Sequence, residues 1–387
     1  MKHYDWIVIG GGITGSALSY ELAKKGRQVL LLEKDPIINN ATLYSYGGLA
    51  YWSGNTELTR KLCQEGIEIQ RNLSQELAAD TEFQELDLLL TIDLEENPEN
   101  LVKFYNQFAI NPELLTVEEA GKLEPLLNPK AISGVLRFSH GHIHPEKTNR
   151  AYQQAFLRLG GELKIQTAIS LLRQGNKIQG VTTSEENYYA DNTVVCAGGL
   201  SRCFLREAGI PVQVYFSHAQ VIKIPPVEIK LRTLVMPATQ NRFQLEAKAT
   251  QPHLESLWDN PNQNLVAASL DAGAIQFLDG SIYLGQISQI ITDSNAIIDV
   301  EKNEARIRQE VAKILPALAN LPGTLHHCLV AFSPNSLPWV GAIPSLTGIH
   351  LFSGFTSTLV FAPPLARHFA NWVTGGDDEI FPLLGNN

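Results

Sequence analysis

"DWIVIGGGITGSALSYELAKKGRQVLLLEKD" occupies residues 5–35, and the order of residue types in it decides the fold. Ile7–Ile9 form a β-branched apolar run that reads as a buried strand. Gly10, Gly12 and Gly15 follow in G-x-G-x-x-G spacing. Gly10 permits a tight turn, Gly12 leaves room for a pyrophosphate, and Gly15 lets helix and strand pack closely. Ala17, Leu18, Leu22 and Ala23 fall at helical spacing between Ile13 and Lys25, and Gly26 stops the helix. Val29–Leu32 reads as a second strand, and Glu33 closes it eighteen residues after Gly15. A carboxylate there accepts ribose hydroxyls, while the helix N-terminus favours an anion. Strand, glycines, helix, strand and acid in this order point to an ADP moiety, without deciding between FAD and NAD.

The 387 residues suffice for about two to three domains, and 44% apolar against 18% charged residues is a globular composition. No apolar run approaches the roughly 20 residues that span a bilayer. The apolar run before Gly10 is too short for a secretory signal, so a cytoplasmic protein is expected, with peripheral membrane contact left open. A net charge of −10 with no basic block argues against nucleic acid. Cys63, Cys196, Cys203 and Cys328 form no C-x-x-C pair and read as reduced, mostly buried thiols.

Residues 35–54 are rich in Asn, Ser, Tyr and Gly and read as a loop. Helical spacing follows over 57–80, a strand over 85–94, and two short helices open at Asn97 and Thr116. "SGVLRFSHGHIHPEKTNRAYQQAFLRLGG" reads as strand, polar turn and helix. "ELKIQTAISLL" and "KIQGVTTS" read as strands joined by a hairpin at "RQGN". Alternating runs over 212–293 favour an antiparallel sheet, and the C-terminal part returns to strand, glycine turn and helix. The histidines at 140, 142 and 144 precede Pro145 in what reads as a turn, and no metal site is assigned to them.

"IGGGITG…LLEK", "HIHPEKTNRAYQQAF…LGGELKIQTAI", "TVVCAGG" and "SLPWVGAIP…LFSGFTSTLVFAPPLARHFANWVTG" together resemble the flavoprotein family of D-amino-acid oxidase, glycine oxidase and sarcosine oxidase. The resemblance covers nearly the whole chain. It implies an α/β protein with a Rossmann-type FAD-binding domain, discontinuous over 1–84, 140–211 and 325–387. An antiparallel β-sheet substrate domain takes 85–139 and 212–324. It implies FAD rather than NAD. Gly10, Gly12, Ile13, Thr14 and Gly15 would line the pyrophosphate, and Glu33 with Lys34 the ribose. Tyr46, Gly47, Gly48 and Leu49 would pass the flavin ring, and Ile169 would meet adenine. Ala197 and Gly198 would lie near the phosphates. Thr356, Ser357, Thr358 and Leu359 would turn at the pyrimidine end of the flavin.

The implied activity is oxidation of the C–N bond of a small amine or amino acid by hydride transfer to flavin N5, with oxygen or a quinone as electron acceptor. The chain departs from the family at one point. Val330 stands near the position of the arginine that grips a substrate carboxylate, and Asn335 stands where an aspartate is common. No arginine lies between Arg308 and Arg367. Arg232 or Arg242 would have to supply that contact, and His218 is a second candidate facing the flavin. Cys328 aligns with the cysteine through which sarcosine oxidases attach FAD; non-covalent FAD with a buried thiol is the expectation here. Two alternatives remain open: a 2-hydroxy acid dehydrogenase, and a flavoprotein module without turnover.

Overall fold

The apolar runs of the opening stretch become the centre of a sheet. In the computed structural model, which describes residues 2–239, 241–335 and 337–384, the strand His3–Ile9 lies between Val29–Glu33 and Asn187–Val195 and runs parallel to both. Val29–Glu33 is buried along its whole length, as a strand covered on both faces must be. Glu162–Ile165 extends this sheet on one side and Ile349–Ser353 on the other, with Trp339–Ala342 antiparallel at the edge. The hairpin Ala168–Gln174 and Lys177–Thr183 joins through Asn187–Val195. "ELKIQTAISLL", read above as one strand, is therefore two. It breaks at Gln166 and Thr167, where Gln166 turns inward to bond Thr183 Oγ1 at 2.9 Å.

Helix Ile13–Lys24 packs against the helices Pro145–Arg158 and Thr358–Val373. Helix Glu57–Glu76, opened by a capping box of Thr56 and Thr59, packs on the last of these. Thr358–Val373 carries Pro363 and Pro364 in its interior. A proline has no N–H to give the carbonyl four residues back, so the carbonyls of Leu359 and Val360 lose their helical partners. Gln70 Nε2 donates to Leu359 O at 2.7 Å. Val360 O lies so close to Gly66 that a Cβ there would stand 2.2 Å away. The glycine is thus needed for close approach of the two helices.

The second sheet is mostly antiparallel. Tyr215–Ile224 pairs with Thr324–Phe332 on one side and Ile282–Gln289 on the other, followed by Ser269–Gln276, Leu234–Pro237, Gln84–Asp93 and Ile132–His142. Leu234–Pro237 runs parallel to Gln84–Asp93. The histidine-bearing turn expected before Pro145 is in part strand. Ile132–His142 continues through His140 and His142, where Gly48–Leu49 pairs with it, and only His144 caps the next helix. By hydrogen bonding, Thr324–Phe332 belongs with the second sheet, although residues 325–387 were assigned with the dinucleotide-binding segments. Among the described residues, no helix is long and apolar enough to cross a membrane.

Candidate active site

One cavity of about 1200 Å³ runs between the two sheets, larger than the roughly 300–1,000 Å³ of ordinary ligand pockets. Its first end is the glycine turn. Gly10 takes φ +108°, and a Cβ on Gly15 would sit 1.9 Å from Gly10 O, so strand and helix touch there backbone to backbone. Gly10, Gly12, Ile13 and Thr14 line the cavity, while Gly15 packs behind them. Glu33 and Lys34 line it as well. The Glu33 carboxylate accepts from Gly11 N at 2.7 Å and Asp35 N at 3.0 Å, which fixes it at the cavity wall.

Helix starts single out this cavity. The helices after Thr56, Asn97, Thr116, His144 and Asp299 open on a side chain that accepts a first-turn N–H. Those after Gly12, Leu200 and Ser357 have no such cap. All three of these residues line the cavity. None of the three helices carries an acid in its first turn. Ile13 N is met from a distance by Thr42 Oγ1 at 3.0 Å. Uncapped N-termini present N–H groups and positive dipole ends to whatever fills the space. This arrangement fits a dinucleotide: an anionic pyrophosphate at one helix start, and an electron-rich ring at another.

Between the ends, the loop after Thr42 is held by the second sheet. His142 Nε2 donates to Tyr46 O at 2.9 Å while its Nδ1 accepts from Gln84. Tyr283 donates its hydroxyl to Leu43 O at 3.0 Å. Trp52 Nε1 donates to His140 Nδ1 at 3.1 Å. Indole only donates, so the neutral His140 carries its proton on Nε2, which has no partner among the described residues. Burial pushes the pKa of His140 down to about 3 and that of His142 to about 4. Both stay neutral and serve as wall supports. Of the loop residues expected beside the ring, Tyr46 and Gly48 line the cavity, and Gly47 and Leu49 lie behind it. Thr356, Ser357, Thr358 and Leu359 line it together, as do Ile169, Ala197 and Gly198.

The second end is built on one face of the second sheet. Alternate residues Leu88 and Leu90, and Leu234 and Met236, line the cavity, as do consecutive residues His327 to Ala331 of the edge strand, with His140, Asp271 and Gln286 beside them. Trp52, Phe104, Phe108 and Phe243 close its side. Arg242 lines this end, with its Nε donating to Glu246 Oε1 at 2.8 Å. Arg232 does not: its backbone N donates to Glu124, and its side chain is exposed. His218 is a correction. It is fully buried and does not line the cavity; its Nε2 donates to Asp293 O at 2.9 Å and its Nδ1 accepts from His327 at 2.7 Å. His327, on the edge strand, is the member of that pair that lines the cavity. Cys328 is buried, and burial pushes its thiol up to about 12. Asp271, Trp52, Gly11 and Thr42 were not singled out from the sequence. Gly11 had a signal, the middle glycine of "GGG", since a Cβ there would meet Glu33 at 2.9 Å.

The comparisons with known proteins agree with this geometry. The model of the family described as "DAO: FAD dependent oxidoreductase" matches residues 5–372. The chain is 25% identical over 385 residues to the 4-methylaminobutanoate oxidase (formaldehyde-forming) of Paenarthrobacter nicotinovorans, covering 97% of this chain and 44% of that protein. The chain thus spans less than half the length of that relative. It is 24% identical over 391 residues to the glycine oxidase of Pseudomonas aeruginosa, covering 97% of this chain and 96% of that one. The crystal structure of glycine oxidase from Geobacillus kaustophilus superposes with a TM-score of 0.80 at 17% identity, over 100% of both chains.

Proposed function

The chain belongs to the DAO family of FAD-dependent oxidoreductases, and from that premise we propose that it oxidises the C–N bond of an amine or amino acid in the cavity between its two sheets. The observation that carries this reading is the continuity of that cavity. It runs without interruption from the glycine turn to a face of the second sheet that carries apolar side chains and a few charged ones. Bound FAD supplies the two-electron acceptor for the C–H bond next to nitrogen.

The chain's own residues bind, orient and exclude water. Gly10, Gly12, Ile13 and Thr14, with Gly15 packed behind them, would hold the pyrophosphate, and Ala197 and Gly198 line the same cavity. Glu33, with Lys34 beside it, accepts from the ribose with lone pairs not used by Gly11 and Asp35. Ile169 offers backbone to adenine. Tyr46 and Gly48 would face the ring, with Gly47 and Leu49 behind them, and the helix start after Ser357 would bring N–H groups to its pyrimidine end. The sheet face with Leu88, Leu90 and Met236 keeps the reacting bond out of water, where position counts most. Non-covalent FAD is the reading favoured here, since burial raises the Cys328 thiol and so disfavours the thiolate nucleophile. Oxygen or a quinone takes the electrons onward.

The test is a visible spectrum followed by acid precipitation. Yellow protein with yellow supernatant is the expected result, followed by anaerobic bleaching with an amine. A colourless protein that takes up no added FAD overturns the reading. A yellow pellet overturns the non-covalent part of it.

A further inference from the structure

Asp271 lies in the strand Ser269–Gln276, is 7% exposed, and lines the substrate end of the cavity. No hydrogen bond or ion pair joins its carboxylate to any described residue. Buried carboxylates are normally paired, because desolvating the charge is costly. The neighbouring cation, Arg242, bonds the buried Glu246 carboxylate through Nε, while its Nη2 is buried with no partner among the described residues. When all three are ionised, Arg242, Glu246 and Asp271 amount to one positive and two negative charges. A substrate carboxylate brought here would find one cation already shared between two carboxylates. A cation would find an unpaired acceptor. The rest of this end is aromatic, with Trp52, Phe104, Phe108 and Phe243 on the wall. Phe104 and Phe243 are 47% and 40% exposed, so these rings are available to a ligand. Aromatic faces attract cations as well as apolar groups.

We propose that Asp271 is the receptor for a substrate ammonium group, and that this site takes a bulky, aromatic or branched amine rather than a small amino acid. Asp271 acts here as a binding and specificity-determining residue. The inference rests on the oxidoreductase reading above and narrows it. It also accounts for Val330: with no substrate carboxylate to hold, the arginine of the amino-acid oxidases has no task at that position.

Calorimetry on the FAD-loaded protein tests this with three probes: benzyltrimethylammonium, phenylacetate and benzyl alcohol. The quaternary ammonium has no nitrogen lone pair and is not turned over, so binding is read without activity. The expected result is at least about tenfold tighter binding of the cation than of phenylacetate, well within the attraction of unlike charges in a site of lowered dielectric. Asp271→Asn removes the charge and should cost about tenfold of the cation's affinity while leaving benzyl alcohol unchanged. Tighter binding of phenylacetate, or an unchanged cation affinity in Asp271→Asn, overturns the proposal. Should the variant fail to hold flavin, the wild-type order of the two ions decides. The visible spectrum of the same sample separates the two levels. A sample without flavin overturns the oxidoreductase reading and this inference with it, and a yellow sample with the wrong binding order overturns this inference alone.

Discussion

The two ends of the cavity are made in different ways. The glycine-turn end is made from backbone: carbonyls and N–H groups of consecutive residues, with Glu33 tied to Gly11 and Asp35. The second end is made from side chains. It collects single residues from strands that begin at Gln84, Ile132, Leu234, Ser269, Ile282 and Thr324. Backbone geometry admits few sequences, whereas a wall of side chains admits many. On the proposed reading, the first end would carry the shared cofactor and the second the particular substrate. The two also differ in energetic character. The unpaired polar groups at the first end are backbone N–H groups of an uncapped helix start, and at the second end it is the carboxylate of Asp271 that has no partner among the described residues.

The largest effect that would break this contrast belongs to Gly15. A Cβ there would meet Gly10 O at 1.9 Å, and the obstacle is backbone that cannot step aside. Gly15→Val should abolish flavin retention and lower stability by about 3 kcal/mol or more, at or beyond the upper part of the range for overpacking. Absorbance of the purified variant and a thermal melt are the readouts. A yellow, stable variant would mean that the glycine turn is not the cofactor's seat.

Asp271 sets the contrast at the other end. Burial raises its pKa to about 6, with Arg242 opposing the shift and Glu246 adding to it. Because the folded value lies above the unfolded one of 3.8, the unfolded chain loses this proton more readily. The native state is then penalised above about pH 6 and relieved as the pH falls toward 4. With about 1.4 kcal/mol for each pKa unit, the penalty at pH 8 is about 3 kcal/mol. Asp271→Asn should raise the melting temperature of the amine-free protein at pH 8 by a few degrees, with the gain gone near pH 4. Binding of the quaternary ammonium to wild type should weaken below about pH 6, as the carboxylate takes a proton. Tyr46 and Cys328, which face the same charges, keep their protons there because burial has pushed both up. A variant no more stable than wild type at pH 8 would show that Asp271 is not held at an energetic cost.

Glu33→Gln sharpens the first end. The amide oxygen can still accept from Gly11, but the charge and one acceptor position are gone. Hydrogen bonds to charged groups contribute about 1.5–3 kcal/mol, so FAD affinity should fall about 10- to 100-fold, with turnover at saturating FAD little changed. Fluorescence titration of the apoprotein reads the first quantity and initial rates the second.

How much of this was legible follows from the same contrast. The glycine-turn end was readable because its parts lie within about 30 residues and its glycines have steric reasons. The family resemblance added the loop at Tyr46 and the turn at Thr356. The second end was not readable. Nothing in "SLDAGAIQ" says that Asp271 faces a cavity rather than water, and nothing near Trp52 says that it will donate to a histidine 88 residues away. His218 misled for a related reason. Strand alternation says that a residue is on one face or the other, but the tertiary packing that turns it toward Asp293 and His327 is not local. The strand through His140 and His142 was missed because Pro145 and the polar run suggested a turn, while pairing with Gly48–Leu49 and Gln84–Asp93 overrode that signal.

The smallest expected effect lies outside both ends and tests whether they can be treated apart from the scaffold. His368, on the helix Thr358–Val373, bonds Asp378 Oδ2 through Nδ1 at 2.8 Å and Glu65 Oε2 through Nε2 at 2.7 Å. Burial works against its charge, but the hydrogen bonds and charges of Glu65 and Asp378 outweigh this, so its pKa is raised. A raised folded value means that the stabilisation is full below the unfolded histidine value near 6.5 and fades as pH rises through the folded one. For partly exposed pairs its size is about 1 kcal/mol or less. His368→Gln should therefore melt slightly below wild type at pH 6, and the two curves should converge at alkaline pH. FAD affinity and cation affinity should both be unchanged, because the cluster ties the last helix to Glu57–Glu76 and to the chain after it, away from the helix start at Ser357. A shift in FAD affinity at pH 6 would mean that the tilt of this helix is transmitted to its N-terminus, and the first end would then depend on side chains as much as the second does.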